Sequence, residues 1–219
     1  MFENLYVELA KSAKVFYGQV ADEIKEKIEK DGNIFSLLDV GSGPGDLILA
    51  LLKRVPWLTI FAVDISEKII DVAQQRAKDE GCYFSSDIFF EVQDALKLNY
   101  PNDSFDFVVS CGDLHAFKNP AEAIREWVRV LRPGHELWIY DPTPLIKKED
   151  LVDSNSLKLK LPNWKDRVSF FVARMLHKGI PPGIFSAEDV FEILDETGLS
   201  CEYAVISKED YIKIIIKKS

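Results

Sequence analysis

Residues 37–47 read LLDVGSGPGDL: an apolar strand that ends in an acid and runs directly into Gly41, Gly43 and Gly45. The Gly-x-Gly-x-Gly spacing differs from the Gly-x-Gly-x-x-Gly fingerprint, whose loop brings backbone amides and a helix N-terminus against a pyrophosphate. Pro44 stiffens the turn from within. Three glycines so close together are expected where a backbone adopts positive φ and approaches a ligand, because a Cβ would strain or collide there. A tight turn that serves only the fold is the simpler alternative. The next acid bears on the choice. Residues 58–64, LTIFAVD, form a continuous apolar run ending in Asp64, about 20 residues beyond the glycines, as a buried parallel strand would. In doubly wound folds such an acid accepts hydrogen bonds from ribose hydroxyls. Asp64 also suits a helix entry, with Ser66 as the cap, and both roles are compatible.

Outward from this segment, strands and helices alternate as in a parallel sheet covered on both faces. Strands are expected near 35–40, 58–64, 88–92, 105–111 and 136–141. The helix after Gly45 turns Leu47, Ile48, Leu51 and Leu52 inward and stops before Pro56; a second spans 66–80, with Gly81 as its stop. Asn119, Pro120 and Glu122 mark a third helix start, followed by Ile124, Trp127, Val128 and Leu131 at i, i+3, i+4 and i+7. Ser186 and Asp189 mark a fourth, with a stripe of Ala187, Val190, Phe191 and Leu194 before Gly198. These stripes are core. Residues 199–206 and 211–217 are two strands joined by so short a polar turn that they must pair antiparallel. Residues 1–31 are expected to be helical, and the charged run DEIKEKIEKD to be a solvated face.

Composition bounds the function classes. The chain has 219 residues, 47% of them hydrophobic and 29% charged, as expected of one globular domain with a sizeable core. A net charge of −9 disfavours a nucleic-acid partner, which needs a basic surface. Cys82, Cys111 and Cys201 are odd in number and widely spaced, which points to a reducing, cytoplasmic compartment. No apolar run approaches the ~20 residues of a membrane span.

The series VGSGPGD, AVDIS at 62–66, VQDALKL at 92–98 and FDFVVSCGDLHAFKNPAEAIREWVRVLRPGHELWIYD at 105–141 resembles the class I S-adenosylmethionine-dependent methyltransferases. Within them it most resembles the small-molecule branch that includes the ubiquinone and menaquinone C-methyltransferases. His135 departs from the family's second glycine in its PGG turn. The resemblance implies a Rossmann-like, doubly wound α/β sheet of seven strands, ordered 3-2-1-4-5-7-6 with the last strand antiparallel. It implies a single methyltransferase domain over 1–219: an N-terminal helical lid at 1–31, a cofactor-binding core at 34–141, a substrate-lid insertion at 142–185 and a final helix and hairpin at 186–219. The cofactor implied is S-adenosyl-L-methionine, with S-adenosyl-L-homocysteine as product. The loop of Gly41, Ser42, Gly43 and Gly45 would approach the methionine part. Asp64 would take the ribose, beside Ile65, and Asp94 the adenine amino group with the Ala95 backbone, unless Asp94 is simply a turn residue after the third strand. Cys111 would lie near the donor through its backbone, and Tyr17 would close over it. No metal is implied.

The acceptor is less legible. Residues 111–117, CGDLHAF, follow the fourth strand and are expected to face the transferring methyl. His115 is a candidate base for a hydroxyl, amine or acidic carbon, against the plainer reading of a histidine bonded to backbone. Asp113 and Tyr140 are candidates for orienting substrate, and His135 and His177 are weaker ones. The Asn/Asp-Pro-Pro-Tyr/Phe loop of adenine and glutamine methyltransferases and the Pro-Cys pair of cytosine C5 enzymes are both absent. The expected partner is therefore a small-molecule acceptor, with no nucleic acid and no membrane. Oligomeric state stays open, the apolar IKIIIKK strand being the one hint of a partner surface. In the lid, Trp164, Phe170, Phe171 and Met175 suggest a partly apolar acceptor, the simpler reading being that most of them pack the lid onto the core. The alternatives are a donor-binding protein without transfer activity and a nicotinamide oxidoreductase, the latter disfavoured by the glycine spacing and the terminal hairpin.

Overall fold

The computed structural model describes residues 2–81, 87–142, 185–208 and 211–219. The expectations for Cys82, for His177 and for nearly all of the 142–185 insertion lie outside the described residues. A seven-stranded sheet in the order β3-β2-β1-β4-β5-β7-β6 organises the chain. Its strands are β1 (Ser36–Val40), β2 (Thr59–Asp64), β3 (Ile88–Val92), β4 (Phe105–Cys111), β5 (Leu131–Pro142), β6 (Cys201–Ser207) and β7 (Tyr211–Lys218). The first five pair in parallel, and β7 is inserted antiparallel to both β5 and β6. The helices are α1 (Phe2–Asp31), α2 (Asp46–Leu52), α3 (Glu67–Asp79), α4 (Pro120–Val130) and α5 (Ala187–Thr197).

Side-chain parity along the strands divides the core in two. Leu38, Val40, Val108, Leu137, Ile139 and Ile214 face one layer, where Ile124, Trp127 and Val128 of α4 and Val190 and Leu194 of α5 cover them. Leu37, Ile60, Phe107, Val109, Trp138 and Tyr140 face the other, covered by α1 and α2. Burying each such aliphatic side chain stabilises the fold by about 1.5–3 kcal/mol. The charged run of α1 is therefore more than a solvated face. Ile24 and Ile28 within it are fully buried and, with Val20 and Ala21, dock the helix on the sheet side of α2. The isoleucines recur at i and i+4 to bury one face, and Glu23 and Lys27 flank it, bonded to Tyr140 and Glu136 of β5.

Most helix ends follow their sequence signals. The Asn119 side chain accepts the Glu122 N–H at 3.2 Å, and Ser186 and Asp189 form a reciprocal capping box. Gly81 and Gly198, both at positive φ, end α3 and α5. Ser66, however, makes no side-chain cap on α3. Phe191 turns outward against Tyr203, and Ile193 takes its place in the buried stripe. β5 also begins earlier than expected. Leu131 already pairs with Phe105 before the RPGH turn, where Gly134 has φ +79°, bulges out of register, and pairing resumes at Glu136.

Candidate active site

The carboxyl ends of β1, β2, β4 and β5 converge on the glycine loop. Gly41 and Ser42 both donate their N–H to the Val63 carbonyl, at 2.8 and 2.9 Å, which ties the loop to β2. Gly41, Gly43 and Gly45 have φ of +72°, +54° and +84°, a region costly to residues with a Cβ. Their surroundings differ. A Cβ on Gly41 would lie 1.8 Å from Asp113 Oδ2, and one on Gly45 would lie 3.3 Å from the Ala73 Cβ of α3. A Cβ on Gly43 would meet nothing within 4 Å. Close approach to a ligand therefore explains only Gly43 among the three. Gly41 makes room for Asp113, and Gly45 lets α2 and α3 pack. Ser42 is buried, and its Oγ has no hydrogen-bond partner among the described residues. Arg76 of α3 clamps the loop from outside, donating to the Pro44 carbonyl and to Asp46, each at 2.7 Å.

Asp64 ends β2 beneath this loop. Its Oδ2 accepts the Gly43 N–H at 3.2 Å and its Oδ1 the Ser66 N–H at 2.9 Å. The carboxylate thus does at the α3 entrance what the Ser66 hydroxyl was expected to do. Each oxygen keeps a second lone pair for a ligand hydroxyl. Ile65 beside it is 67% exposed, an apolar face presented at the sheet edge. Asp94 is exposed, and its Oδ1 accepts the Leu96 N–H at 2.9 Å in a tight turn that leaves Oδ2 open. Trp127 fixes the same turn by donating its indole N–H to the Ala95 carbonyl at 3.0 Å.

Beyond β4, Cys111 is buried and the Gly112 N–H donates to the Tyr140 carbonyl at 2.6 Å. Asp113 is buried against Gly41, at the head of a 3-10 turn spanning Leu114–Ala116. His115 in that turn is held twice by one carboxylate. Its backbone N–H donates to Asp141 Oδ2, and its ring Nδ1 lies 3.0 Å from Asp141 Oδ1. Burial pushes the Asp141 carboxyl above the usual carboxylate range, and the hydrogen bonds from His115 oppose that rise.

Tyr140 belongs elsewhere. Strand parity turns it to the α1 face, where its hydroxyl donates to Glu23 at 2.9 Å. Burial first, then the Glu23 charge, pushes its phenol far above the ordinary range. The bond to Glu23 anchors α1 on the sheet. Lys213 joins the same cluster, 2.6 Å from Glu23 and 3.3 Å above the Trp138 ring. Tyr17 packs edge-on to Phe16, which in turn meets Tyr140 and Tyr211. His135 lies in the bulge of β5. Sequence reasoning noted Asp39 only as the acid that ends the first strand and did not single out Asp141. Their one legible signal is an acid inside or ending an otherwise apolar strand.

Residues 37–134 match the family model described as a methyltransferase domain. The chain is 34% identical over 108 residues to a demethylmenaquinone methyltransferase of Deinococcus radiodurans, covering 49% of this chain and 43% of that protein. It is 33% identical over 117 residues to a ubiquinone/menaquinone biosynthesis C-methyltransferase of Dinoroseobacter shibae, covering 51% and 46%. The chain thus spans less than half the length of these two relatives. Among solved structures, the magnesium protoporphyrin IX methyltransferase of Synechocystis, crystallised with S-adenosylhomocysteine, superposes with a TM-score of 0.62 at 20% identity, covering 95% of this chain and 86% of that one. A methyltransferase of Aquifex aeolicus gives 0.60 at 20% identity, covering 88% of each. Residues 37–134 are thus similar to a methyltransferase domain, and the chain shares the fold of these solved methyltransferases.

Proposed function

We propose that the chain transfers the methyl group of S-adenosyl-L-methionine to a small-molecule acceptor by in-line displacement, releasing S-adenosyl-L-homocysteine. The observation that carries this reading is a row of buried acids along the carboxyl edge around an open glycine. Asp39 is 2% exposed, Asp64 9%, Asp113 4% and Asp141 2%. Acids grouped at one edge favour a cationic ligand over an anionic one. A sulfonium that also bears an ammonium group suits that field. A dinucleotide diphosphate does not, the more so because Asp46 opens α2 where a phosphate would otherwise sit.

When bound, the donor supplies an already activated methyl. The protein's work is to hold, align and dehydrate. Gly41, Ser42, Gly43 and Gly45 line the methionine part, and Ser42 Oγ has a free hydrogen bond to offer it. Asp64 accepts from the ribose through its remaining lone pairs, with Ile65 against the adenine face. Asp94 and the Ala95 backbone meet the adenine edge, Cys111 contributes its backbone, and Tyr17 covers the donor. Asp113 and His115 face the acceptor. Alignment of this kind is worth about 7–11 kcal/mol.

The acidic balance supports a small molecule over nucleic acid. No helix among the described residues is long and apolar enough to cross a membrane, and Cys111 and Cys201 form no disulfide among those residues; a reducing cytoplasmic setting belongs to the same reading. Calorimetry tests the donor assignment: S-adenosylhomocysteine binds and NAD does not. Release of S-adenosylhomocysteine with a metabolite extract then separates an enzyme from a donor-binding protein without transfer activity. NAD binding in place of S-adenosylhomocysteine would overturn the proposal.

A further inference from the structure

We propose that Asp141 is a positioning residue that holds the His115 proton on Nδ1, so that Nε2 serves as base for an acceptor that gives up a proton as it is methylated. Such an acceptor is a phenolic or enolic hydroxyl, or a carbon activated by one. This deepens, and rests on, the methyl-transfer reading of the site.

The geometry carries the argument. Both oxygens of a single carboxylate are engaged by one residue, through the backbone N–H at 3.0 Å and ring Nδ1 at 3.0 Å. A carboxylate only accepts, so Nδ1 carries the hydrogen and Nε2 is left with a lone pair. The His115 side chain is 8% exposed and that of Asp141 2%. Nε2 nevertheless has no hydrogen bond to any described residue. At this partly exposed position the second ring nitrogen is open to a ligand group. The turn bearing His115 begins at Asp113, which packs on the glycine loop, so the ring stands beside the proposed donor site. The ionisable groups nearest the pair along the chain are Cys111 at the end of β4, Asp113 at the head of the 3-10 turn and Tyr140 on β5, and Tyr140 turns to the opposite face.

The step balances. Nε2 takes the acceptor's proton, and the electron pair of that O–H or activated C–H system forms the new bond to the methyl carbon. The bond from methyl carbon to sulfur breaks with its pair going to sulfur. The imidazolium, held against the Asp141 carboxylate, returns its proton to solvent. A thiol, with an ordinary pKa near about 8.5, ionises substantially unaided, and an amine can shed its proton to water before binding; neither needs a carboxylate-held imidazole.

The test uses the full chain labelled with ¹⁵N-histidine, in long-range ¹H–¹⁵N correlation spectra at about pH 8, well above the ordinary histidine pKa. The His115→Gln spectrum assigns the signal by its disappearance. The expected result is a protonated Nδ1 and a bare Nε2 in the wild type, with the proton moving to Nε2 in Asp141→Asn, whose amide can turn an N–H toward Nδ1. A wild-type ring protonated on Nε2, or an unchanged pattern in Asp141→Asn, overturns the proposal; the wild-type spectrum alone decides if the variant does not fold. Donor labelled with ¹³C on the methyl, incubated with a metabolite extract, then reports the acceptor atom. A new O-methyl or C-methyl signal that falls at least tenfold in Asp141→Asn supports the acceptor class, and an N-methyl or S-methyl product overturns it. Failure of the wild-type chain to bind S-adenosylhomocysteine in calorimetry would instead refute the methyl-transfer reading, whatever the tautomer.

Discussion

Gly41→Ala probes the contact that joins the glycine loop to the turn after β4. The new Cβ would fall 1.8, 2.4 and 3.1 Å from Oδ2, Cγ and Oδ1 of Asp113, and all three of its nearest neighbours belong to that carboxyl group. Two costs add. Holding alanine at φ +72° costs about 1–2 kcal/mol, and forcing a buried group aside costs about 1–3 kcal/mol. The expected loss is about 2–5 kcal/mol of unfolding free energy, read as a lower urea midpoint at unchanged slope. In an Asp113→Ala background the clashing carboxyl is gone, so the same substitution should cost only the backbone term of about 1–2 kcal/mol. The difference between the two backgrounds is the coupling between β1 and β4 at the site. Equal costs in both would refute the reasoning, since the strain would then be purely conformational and Asp113 would not be what demands glycine at 41.

Other outcomes are expected elsewhere. Asp64→Ala should weaken S-adenosylhomocysteine binding in calorimetry by about 2 kcal/mol or more, roughly thirtyfold, because a charge-assisted pair of ligand bonds is lost and the amides of Gly43 and Ser66 lose their acceptor; unchanged affinity would remove the ribose assignment. His115→Ala should lower turnover while leaving donor affinity nearly intact, and if neither changes the histidine is structural. At Asp106, burial pushes the carboxyl up, but hydrogen bonds from the Phe35 N–H, Arg132 and Ser36 outweigh it and hold the group below its usual range. That depressed value stabilises the fold above the unfolded carboxyl range near about pH 4, and the contribution is lost as pH falls through the folded value. Asp106→Asn should therefore be less stable at neutral pH and show a flatter acid limb below about pH 4 in denaturation curves; an unchanged limb would contradict this. Trp127→Phe should cost about 1–3 kcal/mol in urea unfolding, since the Ala95 carbonyl loses its donor, and a neutral result would show that water replaces the indole.

Much of the fold was legible because its signals are local. Positive φ at Gly41, Gly43 and Gly45 follows from chirality, the buried strands from continuous apolar runs, and the α4 and α5 caps from side chains three residues apart. The α1 charges misled because charge outnumbers apolar residues in that run, whereas two isoleucines one turn apart suffice to bury a face. The site was legible only in part. Tyr140 and Asp141 are adjacent in sequence and equally polar in character, yet only one of them reaches His115.

The sequence by itself determined where the chain turns, which segments are strands and which acid closes the second of them, since backbone sterics and hydrophobic periodicity act over a few residues. Only the tertiary structure decided that Gly41 yields to Asp113, 72 positions away, that Asp64 grips its own loop, and that His115 is held by Asp141. The register of β4 on β5 sets Cys111 opposite Tyr140 and so places Asp141 beside the turn after Cys111. A shift of one residue would exchange the two side chains between faces, and no local pattern encodes that register.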